Sequence, residues 1–181
     1  MSFNKTFSRE LFDANDNVAK LAGMQHLAHD GADWVSINKN DYGCDLVYRM
    51  PEDHVTDCPP RLLEVEVKRT WKGGTFPFPT INVLFRKQKY FVEGAHLLLL
   101  AGDLQHYLVL TDEDILAQQP EEISNKYVYG MEFFYQVPEN LATYYKLRAP
   151  LTNISPLCYC GNKSFWIEHN QLVCEGCGVC Q

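Results

Sequence analysis

The spacing of apolar residues puts a helix near the start of the chain. From about Asn15 to Asp30, Val18, Leu21, Ala22 and Ala28, with Leu27 beside them, recur at helical intervals. Asp13 or Asn15 can cap its start, and Gly31 follows its end. Trp34 to Ile37 is strand-like, Asp41-Tyr42-Gly43 marks a turn, and Cys44 to Met50 forms a second strand. Pro51 to Pro60 is expected to be a polar loop. Leu62 to Lys68 alternates most cleanly, with Leu63, Val65 and Val67 on one face and Glu64, Glu66 and Lys68 on the other. Thr70 to Pro79 is a loop broken by glycine and proline that carries Trp71, Phe76 and Phe78. Beyond it, Arg86 to Glu93 reads as a short helix, and His96–Ala101 and His106–Thr111 as strands around an Ala101-Gly102-Asp103 turn. Thr111 caps a helix over Asp112 to Gln119, and Lys126 to Val137 is a long aromatic-rich strand. The order α-β-β-β-α-β-β-α-β describes a mixed α/β fold, a mixed sheet flanked by helices.

A different composition begins after this body. The segment 148–156 holds two prolines among small polar residues and reads as a linker, dividing the 181-residue chain into a body over 1–147 and a tail over 157–181. Of seven cysteines, Cys44 and Cys58 lie alone in the body, while Cys158, Cys160, Cys174, Cys177 and Cys180 crowd the tail. No export signal is visible to favour disulfides, and close cysteine pairs in a reducing compartment favour thiolate ligation of zinc. Gly161 and Gly178 follow the two pairs and let the chain turn tightly beside the sulfurs. Between the pairs, Ser164–Glu168 and Gln171–Val173 read as a hairpin turning at Glu168-His169-Asn170. The tail resembles a zinc ribbon, which implies a structural Zn2+ held by Cys158, Cys160, Cys174 and Cys177. The second knuckle, Cys174-Glu175-Gly176-Cys177-Gly178, fits that pattern. Only Tyr159 separates Cys158 from Cys160, which leaves open whether Cys180 replaces Cys158; His169 is a weaker spare. Four thiolates leave no open position for water, so a catalytic zinc is not expected.

Composition narrows the class further. Hydrophobic residues make up 46% of the chain and charged residues 22%, which excludes wholesale disorder. The longest apolar run, Leu97–Ala101, is strand-sized, so no membrane span is expected and the chain reads as soluble and cytoplasmic. A net charge of −7 taken alone argues against a polyanionic partner, but its distribution does not: residues 61–90 carry seven basic and two acidic side chains, against an acidic surplus on either side.

Within that basic segment lies the informative face. A strand that is apolar on one side and carries Glu64, Glu66 and Lys68 on the other suits an interior position, where carboxylates require partners. Asp45, on the preceding strand, is expected to come beside Glu66 across the hairpin. An aspartate on one strand with Glu-x-Lys on the next is what phosphodiester hydrolysis requires. Asp45 and Glu66, with the Val67 carbonyl, would hold Mg2+ or Mn2+, and Lys68 would orient or help deprotonate the attacking water. Arg69, Lys72, Arg86, Lys87 and Lys89 would contact phosphates without reading sequence, and Gln88 could orient water or phosphate. Trp71, Phe76 and Phe78 could stack on bases of an opened strand, although at least one should pack back on the core.

These residues, Gly43-Cys44-Asp45-Leu46-Val47 and Leu63-Glu64-Val65-Glu66-Val67-Lys68, resemble the PD-(D/E)XK nuclease superfamily, the restriction-endonuclease-like fold. Over roughly Asn15 to Thr111 the layout is most similar to small Holliday junction resolvases. The resemblance implies a metal-dependent DNA endonuclease acting on duplex, single-stranded or branched DNA, a homodimer in the resolvase relatives, and a tail that docks on nucleic acid or a protein partner. Cys44 stands where the family places proline before the aspartate. The acid that these nucleases often carry on the first helix has Glu10, Asp13 and Asp16 as open candidates. The rival reading is a non-catalytic adaptor that keeps the fold and grips a nucleic-acid or protein partner.

Overall fold

A computed structural model describes residues 9–38, 43–56, 58–124, 131–147, 160, 162–168 and 171–178. The first helix, α1 (Arg9–Asp30), starts six residues before the expected Asn15 and ends where expected. Gly31, at φ +94°, reverses the chain, and the Ala32 N–H returns to the Leu27 carbonyl at 3.0 Å, closing the helix end. Then follow β1 (Trp34–Ile37) and β2 (Leu46–Arg49). The stretch expected as a polar loop is instead a helix, α2 (Pro51–Thr56). Proline suits the first helical position, and the Asp53 carboxylate accepts the Met50 N–H at 2.9 Å, satisfying a donor at the helix start.

The clearest strand, β3 (Arg61–Lys68), is where alternation put it. The loop after it leads into β4 (Thr80–Leu84), a strand the sequence reading passed over although Ile81 and Val83 alternate as buried positions. A single 3-10 turn (Phe85–Lys87) then opens α3 (Gln88–Val92). Next come β5 (His96–Ala101), β6 (His106–Leu110) and α4 (Asp112–Leu116), whose start is capped by Thr111 Oγ1 accepting the Asp114 N–H at 3.1 Å. β7 (Pro120–Ser124) is a strand the spacing did not predict, and the strand expected over 126–137 is β8 (Met131–Pro138) where it is described, with residues 125–130 outside the described set. Pro120 begins an edge strand, a position that asks no ladder hydrogen bond of its nitrogen. Finally β9 (Thr143–Lys146) precedes the C-terminal hairpin, β10 (Ser164–Glu168) and β11 (Gln171–Cys174).

Two sheets result. The larger runs β11-β10-β1-β2-β3-β5-β6-β9, and the smaller β4-β8-β7. Among the described residues only β3 and β5 pair in parallel, with Glu66 opposite Leu99 and Lys68 opposite Ala101; the other pairs are antiparallel. A parallel pair needs a crossover, and β4 with α3 supplies it. One core lies between α1 and the large sheet, where Ala22, Leu27, Val35, Leu46, Leu63 and Val65 meet. A second core gathers Trp71, Ile81, Phe91, Leu97, Leu99, Ile115 and Tyr135 between the large sheet and the small one. The fold is thus mixed α/β, two sheets flanked by helices.

The linker expected over 148–156 lies outside the described residues. The hairpin beyond it continues the large sheet: Trp34, Val35 and Ser36 pair with Trp166, Phe165 and Ser164. Phe165, Leu172 and Cys174 join the core against α1, so this hairpin buries its apolar side in the body. No helix among the described residues is long and apolar enough to cross a membrane.

Candidate metal and nucleic-acid site

Alternation along β3 sends Leu63, Val65 and Val67 into the core beneath α1 and leaves Glu64, Glu66 and Lys68 on the opposite face. The β2–β3 register, Leu46 opposite Leu63, then sets Asp45 opposite Glu64 rather than Glu66. The contacts agree. The Asp45 backbone N–H donates to Glu64 Oε2 at 3.3 Å, and Asp45 Oδ2 accepts the Val65 N–H at 3.1 Å. Glu66 instead holds Lys68, its Oε1 2.7 Å from the Lys68 ammonium.

The element that ties these groups together is the 3-10 turn before α3. From it, Lys87 reaches Glu64 Oε1 at 2.8 Å and Glu66 Oε2 at 3.4 Å. On the other side, Lys20 of α1 lies 3.6 Å from Asp45 Oδ1 and 2.6 Å from Asp16. A chain of alternating charge therefore runs Asp16–Lys20–Asp45–Glu64–Lys87–Glu66–Lys68, with one like-charged step at Asp45–Glu64. Sequence reasoning named Asp45, Glu66 and Lys68. It assigned Lys87 to a phosphate-binding surface, gave Glu64 no role in the site and passed over Lys20. The missed signal was spacing: Asp16 and Lys20 sit four apart, on one helix face.

Electrostatics follow from this layout. Burial and then the Glu64 charge push Asp45 up to about 7, against the pull of Lys20 and the Val65 amide. Burial alone would raise Glu66, but Lys68 and Lys87 outweigh it and hold its carboxyl below the usual range. Burial opposes the charge on Lys87 as well, yet Glu66 and Glu64 carry its pKa well above that of a free lysine. Lys20 behaves likewise: burial disfavours its charge, and Asp16 and Asp45 more than restore it. Cys44, buried between Glu64 and Asp45, has its thiol pushed far up by burial and by those charges, so it is inert as a nucleophile.

The donor set is carboxylate oxygen only, which suits a hard divalent cation and not a thiophilic one. At the one like-charged step, Asp45 against Glu64, each acid also has a lysine partner, Lys20 for Asp45 and Lys87 for Glu64. Of the first-helix acids, Asp16 joins the site through Lys20, while the Glu10 and Asp13 side chains lie outside the described set.

The surrounding cations divide. Arg69 and Lys72 are exposed on the loop after β3, and Arg86 is exposed 3.9 Å from Glu132. Lys89 lies over the Tyr90 ring at 4.8 Å. Gln88, expected to face the site, hydrogen-bonds Tyr135. Among the loop aromatics, Trp71 is fully buried, Phe76 half-buried and Phe78 exposed. The loop is pinned to the β5–β6 turn by a 2.7 Å bond from the Gly102 N–H to the Trp71 carbonyl.

A second cluster lies at the sheet's far edge. The sulfurs of Cys160, Cys174 and Cys177 all fall within 4.8 Å of one another, a group that could hold a metal ion. Cys174 Sγ accepts the Gly176 N–H at 3.3 Å, and Asn162 Nδ2 lies 3.7 Å from it. Gly178, at φ +70°, lets its N–H reach the Cys174 carbonyl at 2.8 Å. Cys158, Cys180 and His169 lie outside the described residues.

Comparison with known proteins assigns no family. No family model, no curated protein and no solved structure matches the chain. The functional reading rests on the site itself.

Proposed function

We propose that this protein is a metal-dependent DNA endonuclease of PD-(D/E)XK type, with a restriction-endonuclease-like layout over α1 to β6. The observation that carries the reading is the linked charge set at the β2–β3 hairpin, in which Glu64 accepts the Asp45 N–H, Lys87 joins Glu64 to Glu66, and Glu66 pairs with Lys68, with the positive segment around them. Asp45, Glu64 and Glu66 would hold Mg2+ or Mn2+, with the Val67 carbonyl as a further oxygen donor. That ion, when bound, supplies Lewis acidity toward the scissile phosphate and its attacking water. Glu66 holds the Lys68 ammonium by ion pairing, in position to orient the water and to stabilise charge developing on phosphate oxygens. Lys87 bridges Glu64 and Glu66 in the metal-free site and holds the two acids together where an ion would take its place. Arg69, Lys72, Arg86 and Lys89 supply sequence-independent phosphate contacts.

At the other end of the sheet, Cys160, Cys174 and Cys177 would bind structural Zn2+, with Cys158 or Cys180 as the fourth thiolate of a zinc ribbon. Zinc there would fix the edge hairpin against β1 and present it as a docking edge for nucleic acid or a partner.

The test is cleavage of duplex, single-stranded and branched DNA with Mg2+ or Mn2+. Wild type is expected to cut at least one of these, and Asp45→Ala and Lys68→Ala to lose about 100-fold or more. One observation favours a second reading, a non-catalytic adaptor with the same fold: Lys68 and Lys87 already neutralise Glu66 and Glu64 internally. Absence of both cleavage and saturable Mn2+ binding would decide for the adaptor.

A further inference from the structure

The loop between β3 and β4 leaves the proposed catalytic strand directly, one residue after Lys68, and holds one large side chain out into solvent. Phe78 is 56% exposed. It is not on a floppy tip. Its ring meets Phe76 edge-to-face at 5.9 Å, and Phe76 meets the fully buried Trp71 in the same way at 5.7 Å. Tyr144 of β9 closes the stack from below, 6.1 Å from Trp71, and its hydroxyl accepts the Phe76 N–H at 3.3 Å. Pro77 and Pro79 flank Phe78 and restrict the backbone on both sides, and the Pro79 carbonyl accepts the Glu139 N–H at 3.0 Å. The aromatic series thus runs from the core to the surface and ends in an exposed, pre-positioned ring.

The loop itself, residues 69–79, carries two exposed cations, Arg69 and Lys72, and no acid, and the acid beside it, Glu139, has its carboxylate on the Tyr144 hydroxyl. A rigid exposed ring on a cationic segment matches a nucleic acid whose bases are unstacked: phosphates meet the cations, and a base meets the ring face. Bases inside an intact duplex are stacked on each other and offer no free face.

Resting on the nuclease reading, we infer that Phe78 is a base-stacking residue that makes single-stranded DNA, or single-stranded segments beside a duplex, the preferred ligand. The ring selects unpaired bases and Arg69 and Lys72 take the adjoining phosphates. Selection arises from exposed base faces, so it is tolerant of sequence.

The test uses the full chain in buffer without Mg2+, with a single-stranded oligonucleotide carrying 2-aminopurine and the matched duplex as probes. Wild type is expected to quench the single strand's fluorescence and to bind it more tightly than the duplex. Phe78→Ala should lose about tenfold in single-strand affinity together with the quench, Phe78→Trp should keep both, and duplex binding should change little. Equal single-strand affinity for Phe78→Ala and wild type, or no quench by wild type, overturns the inference. Cleavage with Mg2+ is measured in parallel. A stacking signal without cleavage would remove the nuclease reading alone, and cleavage unaffected by Phe78→Ala on single strands would remove the inference alone.

Discussion

The Lys87 ammonium stands 2.8 Å from the Glu64 carboxylate, joining the turn before α3 to the middle of β3. Glu64 is almost wholly buried, and a carboxylate there without a cation would carry its full desolvation cost. The same ammonium also reaches Glu66, so one side chain holds two acids whose mutual repulsion would otherwise spread the site.

Lys87→Ala should therefore destabilise the metal-free protein by about 3 kcal/mol, since it strands a buried acid. Urea unfolding at neutral pH checks this. Added Mg2+ or Mn2+ should restore part of the loss, and its binding should tighten, because the ion no longer competes with a resident ammonium.

Asp45 gives the pH dependence. Its carboxyl sits at about 7 in the folded protein against an ordinary value of 3.8. Between those values the folded state binds more protons than the unfolded chain, so this group's contribution makes stability fall as pH rises from 3.8 to about 7. Thermal melts across that window should show the decline. Asp45→Asn should flatten it and raise stability above pH 7 in metal-free protein, and a bound divalent cation should flatten it in wild type.

Gly102 allows the close approach that fixes the loop root. A Cβ there would lie 2.6 Å from the Arg69 carbonyl oxygen, a backbone atom that cannot turn aside. Gly102→Ala should cost about 1–3 kcal/mol by denaturant unfolding and should open the segment after Lys68 to limited proteolysis.

Metal removal should act on the edge of the large sheet. Chelation, or Cys174→Ser, should release stoichiometric Zn2+, read with a metallochromic dye. Amide exchange should quicken by about tenfold or more in β10, and in β1 where Val35 faces Phe165. β3 and β5, four and five strands from the hairpin's outer edge, should keep their protection.

Much of this was legible in the chain. Two-residue alternation marked β3, helical spacing with Gly31 marked α1 and its end, and Thr111 marked the start of α4, because each signal is local and spelled by neighbouring residues. Strict local hydrogen bonding also explains the miss at α2, where Pro51 and the reach of Asp53 back to Met50 outweighed a composition that reads as loop.

By itself, the sequence determined which side chains could do chemistry: Glu64, Glu66 and Lys68 on one strand face, Asp45 upstream, cations after them, and paired cysteines at the end. What only the tertiary structure decided is who meets whom. A strand register is chosen by side chains on both partners at once, and the β2–β3 register gave Asp45 to Glu64, not Glu66. Lys87 is 19 residues beyond Lys68 in sequence, and its place between two acids depends on the crossover that returns the chain to β5. The hairpin with Phe165 joined the main sheet through β1, more than a hundred residues away, because an unpaired strand edge and an apolar face are satisfied by whatever the whole chain brings to them.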